Sequence, residues 1–413
     1  MNDRHLVPVK PGLFNDFLCP ACGAERPAAC GTVWPGIHIL GSYRCHTCKL
    51  EFIRDLPVGF AVDHPMAIAQ DTGQLYNPTK GDAWIHEPLL KAFHDPYEGE
   101  VRIERVVNRK CGQVIILNTL DFLYGHVLLK LFNAVDYMRS YPDKGLVVIV
   151  PRMYAWLIPD DVAEAWIVDL KLGEMGAWRT AFDRFVQERM TEYREVELAK
   201  GYAHPSLIGI DIEQFTGVKP FALEDFTTAA AHITFVVRQD RLWYRNGLAK
   251  FIHRVVRRIG FFPGLPAWMQ DRLVSSTIRR IRRRLPATAF TVVGLGRRRG
   301  LPEGVEDLRA LRMDLDTELA WCRAYAKSQV VIGVHGSNMI LPTAHAAGCV
   351  EILPYDRYGN IVQDISVRYE DRMQLFMYRF VDEFASPGYV THHVCSMFKD
   401  FDVYRLDNRV NIF

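Results

Sequence analysis

Residues 329–354 read QVVIGVHGSNMILPTAHAAGCVEILP, and the punctuation of this stretch decides the fold. An apolar run, Val330–Val334, has the length of a buried strand. His335-Gly336-Ser337 follows as a tight turn, residues 338–347 suit a helix, Gly348 breaks it, and residues 349–353 form a second apolar run. Strand, turn, helix, glycine, strand is the grammar of a βαβ unit, and hence of a parallel sheet. The polar residues sit in the turn at the first strand's carboxyl end, where open α/β sheets place their ligands. Backbone N–H groups at the start of the following helix would favour an anion such as a diphosphate. The other reading is an ordinary turn of this kind around a buried histidine.

Working outward, residues 233–237 are another buried strand, ending in Arg238-Gln239-Asp240-Arg241. Two arginines beyond a strand's carboxyl end can clamp a diphosphate bidentately; the alternative is a surface ion pair with Asp240. Residues 290–293 form the next strand. The glycines and arginines of residues 294–300 have the wrong spacing for a dinucleotide loop. Upstream, strands at 114–117 and 146–150 flank a helix at 127–138, which marks a first α/β domain. Between the two domains, residues 156–200 mix aromatics and charges at helical spacing and predict two helices. Trp156, Trp166 and Trp178 there suit either the core or a sugar-stacking surface. Residues 61–100 show no period and predict a wrapping linker. Residues 207–226 predict a crossover and residues 361–384 a helix.

Near the start, Cys19-Pro-Ala-Cys22 and Cys45-His-Thr-Cys48 are two CxxC knuckles. Each offers two thiolates from one turn, and together they complete a tetrahedral structural zinc site. Cys30 and His46 are spare candidates. A closed four-thiolate set leaves no open position for zinc catalysis. The chain has 413 residues, which predicts two or three domains, and nine cysteines. Its 49% hydrophobic and 24% charged content excludes a disordered or fibrous protein. No run approaches the roughly 18 apolar residues of a membrane span. The opening MNDRHLVPVKPG lacks a signal-peptide core. Thiols without an export signal point to a reducing, cytoplasmic setting.

His335-Gly336-Ser337-Asn338-Met339, with Pro342 and the Gly348–Val350–Glu351 ending, resembles the HGA(G/S)-x-(T/N)-N…PG-x-x-V-x-E segment of the family sixty-one glycosyltransferases. Tyr124-Gly125-His126-Val127-Leu128-Leu129 is similar to that family's (Y/F)-x-H-W-L-x-(D/E) segment. Ser337 stands where alanine is commonest, His345-Ala346-Ala347 replaces a Pro-Gly run, and Lys130 stands near a usual acid. The resemblance implies α/β architecture of GT-B type: two Rossmann-like domains facing a cleft, here with an added N-terminal zinc ribbon. The expected domains are a ribbon at 1–60, an acceptor-side α/β domain at 61–230, a nucleotide-sugar domain at 231–365, and a helix and tail at 366–413 packing back on the body.

It also implies an inverting hexosyl- or pentosyltransferase that moves a sugar from a nucleotide-sugar donor to an acceptor hydroxyl. The acceptor would be a glycan or a lipid-linked molecule in polysaccharide or glycoconjugate synthesis. No catalytic metal is expected, and no Asp-x-Asp pair stands at a strand end of the donor half. Arg238, Arg241 and the N–H groups of Gly336, Ser337 and Asn338 suit the departing diphosphate. Glu351 suits ribose hydroxyls or a structural cap. His126 is the candidate base, or else a core or capping histidine, and His335 is a second catalytic candidate, placed in the donor site.

Residues 254–299, from Arg254 to Arg299, hold twelve arginines against one acid, Asp271, around an apolar segment at 261–269. That composition suits an anionic membrane surface, such as the inner membrane face, but also a solvated helix face or a nucleic-acid patch. The competing class is a zinc-ribbon binding protein on a degenerate GT-B body, docking a partner or nucleic acid through its arginines. A methyltransferase lacks support, because no early strand leads into a glycine-rich loop.

Overall fold

The apolar runs of the sequence become the central strands of two mainly parallel sheets, one in each of two compact units, Met1–Pro205 and Ser206–Phe413. The computed structural model describes residues 6–58, 66–78, 83–201, 209–259, 264–298, 300–361 and 364–407. Phe261, Phe262, Pro263, Arg299 and the last residues of the tail therefore lie outside the described residues.

The first unit opens with β1 (Leu6–Lys10). It continues with β2 (Ala28–Val33), β3 (Leu40–Arg44), β4 (Glu51–Asp55), β5 (Ala67–Ala69) and β6 (Leu75–Tyr76), an antiparallel sheet in chain order. Next come α1 (Ala83–His94), β7 (Ile103–Val107), β8 (Gln113–Asn118), α2 (Tyr124–Leu131), α3 (Asn133–Ser140), β9 (Gly145–Pro151), β10 (Glu164–Val168), α4 (Thr180–Met190) and β11 (Glu195–Ala199). Strands β11, β8, β9 and β10 lie side by side and parallel, and β1 and β7 close the two edges antiparallel. Most of β8 and all of β9 are buried without alternation, as a sheet covered on both faces requires.

The second unit contains α5 (Glu213–Thr216), β12 (His232–Val237), α6 (Gly247–Ile259), α7 (Leu265–Arg282), β13 (Ala289–Gly294), β14 (Val305–Asp307) and α8 (Leu315–Ala326). It ends with β15 (Val330–Val334), α9 (Ile340–His345), β16 (Gly348–Leu353), α10 (Asp371–Met377), β17 (Tyr378–Asp382) and α11 (Pro387–Asp407). The order is β14-β13-β12-β15-β16-β17, and every pairing is parallel. Counted from β12, this is the 3-2-1-4-5-6 order of dinucleotide-binding sheets. The chain builds outward from β12 to β14, then returns to β12's other side with β15. Helix α8 starts where the Asp314 side chain accepts from the Thr317 N–H at 2.9 Å, an N-cap.

Several expectations need correcting. The ribbon is no separate domain ending at residue 60. Strand β1 belongs to the larger sheet, the ribbon sheet runs on to Tyr76, and Trp34, Tyr43 and Phe52 share one core with Ile116, Ile149 and Trp166. Residues 61–100 hold β5, β6 and α1 rather than a bare linker. Residues 156–200 hold one α-helix of more than a turn, α4, between β10 and β11. Their short strands were masked by charges at helical spacing. The second unit starts at Ser206, ahead of the expected boundary. Residues 361–384 give α10 and then β17, which completes the second sheet. Helix α11 packs on α7 and β16 of its own unit.

Because ribbon and sheet share a core, they should unfold together. Trp34 is fully buried, and its N–H donates to Asp183 Oδ1 at 2.7 Å. Trp34→Ala should cost about 3–5 kcal/mol and shift the first unit's urea transition as one step. Separate melting of ribbon and sheet would contradict the shared core.

Candidate functional site

In the second unit, β12 and β15 are the neighbours at which strand order reverses, so their carboxyl ends flank the crevice where such sheets bind ligands. Arg238 and Arg241 follow β12, and His335, Gly336, Ser337 and Asn338 follow β15. Arg241 NH1 donates to the His335 carbonyl at 2.7 Å, and Arg238 NH1 donates to Asn338 Oδ1 at 2.9 Å. The ion pair that the sequence left open is also present, with Arg238 forked onto Asp240. Gly336 has φ +149°, a conformation that favours glycine, and a Cβ there would meet the end of the Arg241 guanidinium, which would have to shift. Burial, together with the charges of Arg357 and Arg238, lowers the Arg241 guanidinium below its ordinary value. Asp240 and Asp364 oppose that shift in part, so the site is positively charged but not free of acids.

His335 and Glu351 are fully buried under this loop, and His335 Nδ1 lies 2.5 Å from Glu351 Oε2. The ring's Nε2 is 3.3 Å from the Asn360 carbonyl and 3.9 Å from Asp364 Oδ2. Burial opposes charge on His335, but the hydrogen bond and charge of Glu351 outweigh it and hold the imidazole above its ordinary value. Burial pushes the Glu351 carboxyl up, and His335 offsets this only in part. The pair holds a proton to higher pH than a free histidine does. Glu351 Oε1 has no hydrogen-bond partner among the described residues. These placements set Arg238, Arg241, His335, Gly336, Asn338 and Glu351 in one cluster, with half-buried Ser337 on its rim.

His126 belongs to the first unit, in the first turn of α2 after β8, which neighbours β11 at that sheet's own reversal of order. Its Nδ1 is 3.3 Å from Asp121 Oδ2, and buried Lys130 donates to the same oxygen at 3.0 Å. Burial raises the Asp121 carboxyl, but Lys130 and His126 more than reverse this, leaving it below its ordinary range. A carboxylate accepting from Nδ1–H places the basic lone pair of the ring on Nε2. A cavity of about 60 Å³ lies beside Phe122, walled by His38, Trp84 and Trp178. Trp166 is core, while Trp178 lines this cavity.

Sequence reasoning missed Asp121, Arg357 and Asp364. Asp121 stands five residues before His126, ahead of the quoted segment, and only the loop's path brings it under both basic groups. Arg357 follows β16, and a basic residue past a strand end was its one signal.

In the ribbon, the sulfurs of Cys19, Cys22, Cys45 and Cys48 all lie within 4.8 Å of one another. Cys19 and Cys48 are 3.7 Å apart, and Cys22 and Cys45 are 3.6 Å apart. Four thiolates about 2.3 Å from a tetrahedral zinc need edges of about 3.8 Å, so the set fits the metal.

No family model matches this chain, and no curated protein matches it. Among solved structures it is similar to the E. coli ADP-heptose lps heptosyltransferase II, at 10% identity and TM-score 0.36, over 70% of this chain and 99% of that one. It is similar to a putative UDP-N-acetylglucosamine 2-epimerase from Listeria monocytogenes, at 9% identity and TM-score 0.37, over 71% and 89%. It is also similar to the pneumococcal O-GlcNAc transferase GtfA in complex with UDP and GlcNAc, at 10% identity and TM-score 0.23, over 88% and 63%. TM-scores this low carry no functional weight. The α/β class rests on the strands themselves, and the resemblance to the family sixty-one glycosyltransferases stays a resemblance.

Two outcomes are expected. His335 and Glu351 are both shifted upward from 6.5 and 4.5, so the native pair binds its proton more tightly than the unfolded chain. That stabilisation is complete below the unfolded histidine value and is lost as pH rises through the native one. The second unit's melting temperature should fall as pH climbs above about 6.5, and Glu351→Gln should flatten the slope. An unaltered slope in that variant would dismiss the pair. Separately, purified protein should carry one zinc per four-cysteine set. Cys22→Ser or Cys48→Ser should release it and lower the first unit's stability, read by metal analysis and thermal melts.

Proposed function

We propose that this chain is a glycosyltransferase of GT-B type, of the family sixty-one kind. It would move a hexosyl or pentosyl group from a nucleotide sugar to an acceptor hydroxyl with inversion and without a catalytic metal. The observation that carries this reading is the pair of arginines at the β12–β15 switch point, where Arg241 donates to the His335 carbonyl at 2.7 Å and Arg238 donates to Asn338 Oδ1 at 2.9 Å, beside Gly336 at φ +149°.

In this reading the diphosphate of the donor lies on Arg241 and Arg357 and on the backbone of Gly336 and Ser337. As the glycosidic bond to the donor breaks, negative charge grows on the departing phosphate, and fixed positive groups lower that barrier. Arg238 is a positioning residue, held by Asp240 and holding Asn338. His335 and Glu351 support the loop from beneath instead of touching the reacting atoms. His126 Nε2 takes the acceptor hydroxyl's proton, with Asp121 fixing the tautomer and stabilising the imidazolium that results. The aromatic cavity walled by Trp84 and Trp178 suits the apolar face of an acceptor sugar. The zinc ribbon is structural. The acceptor is a glycan or lipid-linked molecule of surface polysaccharide or glycoconjugate synthesis, made on the cytoplasmic side.

Thermal shift with UDP, GDP and CMP tests the donor half: one nucleoside phosphate should stabilise the protein, and Arg241→Ala or Arg357→Ala should abolish the shift. The same variants should lose about 100-fold or more in transfer at unchanged fold. Stabilisation by nucleic acid alone would instead select a binding protein. His126→Ala should lower kcat by about 100-fold or more, and Asp121→Asn should distort the pH–rate profile. Full turnover in His126→Ala would remove it from the base role.

A further inference from the structure

Helix α6 leaves part of its apolar side uncovered: Leu248, Phe251 and Ile259 are exposed, while Ile252, Val255 and Val256 are half-buried. By the 3.6-residue period, Leu248, Phe251, Ile252, Val255, Val256 and Ile259 share one side, and Lys250, His253, Arg254, Arg257 and Arg258 share the other. An amphipathic helix ordinarily buries the first set. Here the covering is partial: Ala249 is buried, Ile252, Val255 and Val256 are half-buried, Lys250 donates to Glu383 Oε2 at 2.6 Å, and His253 Nδ1 lies 2.6 Å from the Tyr244 hydroxyl. Leu248, Phe251 and Ile259 are left 66%, 58% and 66% exposed. At the start of α7, Leu265 and Trp268 add to the exposed apolar surface, and the Arg272 guanidinium sits 4.7 Å over the Trp268 ring.

Charge identifies what covers this face. Between Asp240 and Asp271 the chain has six basic residues and no acid. An apolar row bordered by arginines matches the acyl boundary and headgroups of an anionic bilayer. Nucleic acid has no use for the apolar row, and a second copy of this face would set arginines against arginines. The expected basic face over 254–299 is thereby narrowed. Arg282 donates to the carbonyls of Glu303 and Gly304, and Arg298 donates to that of Arg309, so those two are occupied by the protein itself. No helix among the described residues is long and apolar enough to cross a membrane, so the contact is a surface one.

We infer that α6 and the first turn of α7 dock the protein on an anionic phospholipid surface, with Leu248, Phe251, Ile259 and Trp268 entering the interface and Arg254 and Arg258 meeting headgroups. This stands apart from the glycosyltransferase reading.

The test is co-sedimentation of the full chain with phosphatidylcholine vesicles, with and without phosphatidylglycerol, at low and high salt. Binding is expected only with phosphatidylglycerol, weakening as salt rises. It should fall at least about tenfold in Phe251→Ser and in the double variant Arg254→Glu, Arg258→Glu. Thermal melts report whether these variants fold. Should Phe251→Ser not fold, bromine-labelled lipid should quench the fluorescence of the unaltered chain more than that of Trp268→Phe. Three results would overturn the inference: no sedimentation with phosphatidylglycerol, equal binding by folded variants, or a dimer lost in the same variants with no lipid binding.

Discussion

Arg241 donates to the carbonyl oxygen of His335 across the point where the second sheet reverses its order, and this bond joins the two loops that bound the crevice. Gly336, at φ +149° and without a side chain, lets the guanidinium approach this closely. The bond also holds a cation close to Arg238 and Arg357 in a half-buried setting, against both desolvation and like-charge repulsion. Asp240 and Asp364 relieve part of that strain.

Beneath the two reversal points the protein repeats one device. In the second unit a fully buried carboxylate, Glu351, underpins His335, and in the first unit buried Asp121 sits between His126 and Lys130. A buried carboxylate is weak as a source of stability, because desolvation opposes the gain from pairing. Its effect here is orientation: each fixes a histidine ring, one under the arginine loop and one in the first turn of α2. The two differ in exposure. His335 is sealed, which fits a supporting role, whereas the His126 side chain is 24% exposed, which fits proton exchange with a ligand.

The ribbon follows another logic. Its strands are short, but they are pinned at one end by four thiolates and at the other by a core shared with the first parallel sheet. The metal set and the tryptophan at position 34 act on the same unit. The ribbon also supplies Pro35, Ile37 and His38 to the walls of the aromatic cavity.

Much of this was legible in the order of residues. Long apolar runs such as 330–334 and 146–150 can only be buried strands, and a turn rich in glycine and polar groups between two of them implies a parallel pair. Two CxxC knuckles specify a metal geometry whatever surrounds them, because each knuckle is local. The positions of Arg238, Arg241 and the His335 turn at strand ends followed from the same local grammar. The short strands β10 and β11 were not legible, because five residues flanked by charges satisfy a helical period as well as an alternating one. Contacts between distant positions were beyond the sequence too: Lys130 on Asp121, Arg357 beside Arg241, and Trp34 in the core of the first sheet. Periodicity showed that α6 has an apolar side and a basic side. Only the packing decided that Leu248, Phe251 and Ile259 on the apolar side stay exposed while Ile252, Val255 and Val256 are partly covered, since a helix's spacing defines its faces but not what lies against them.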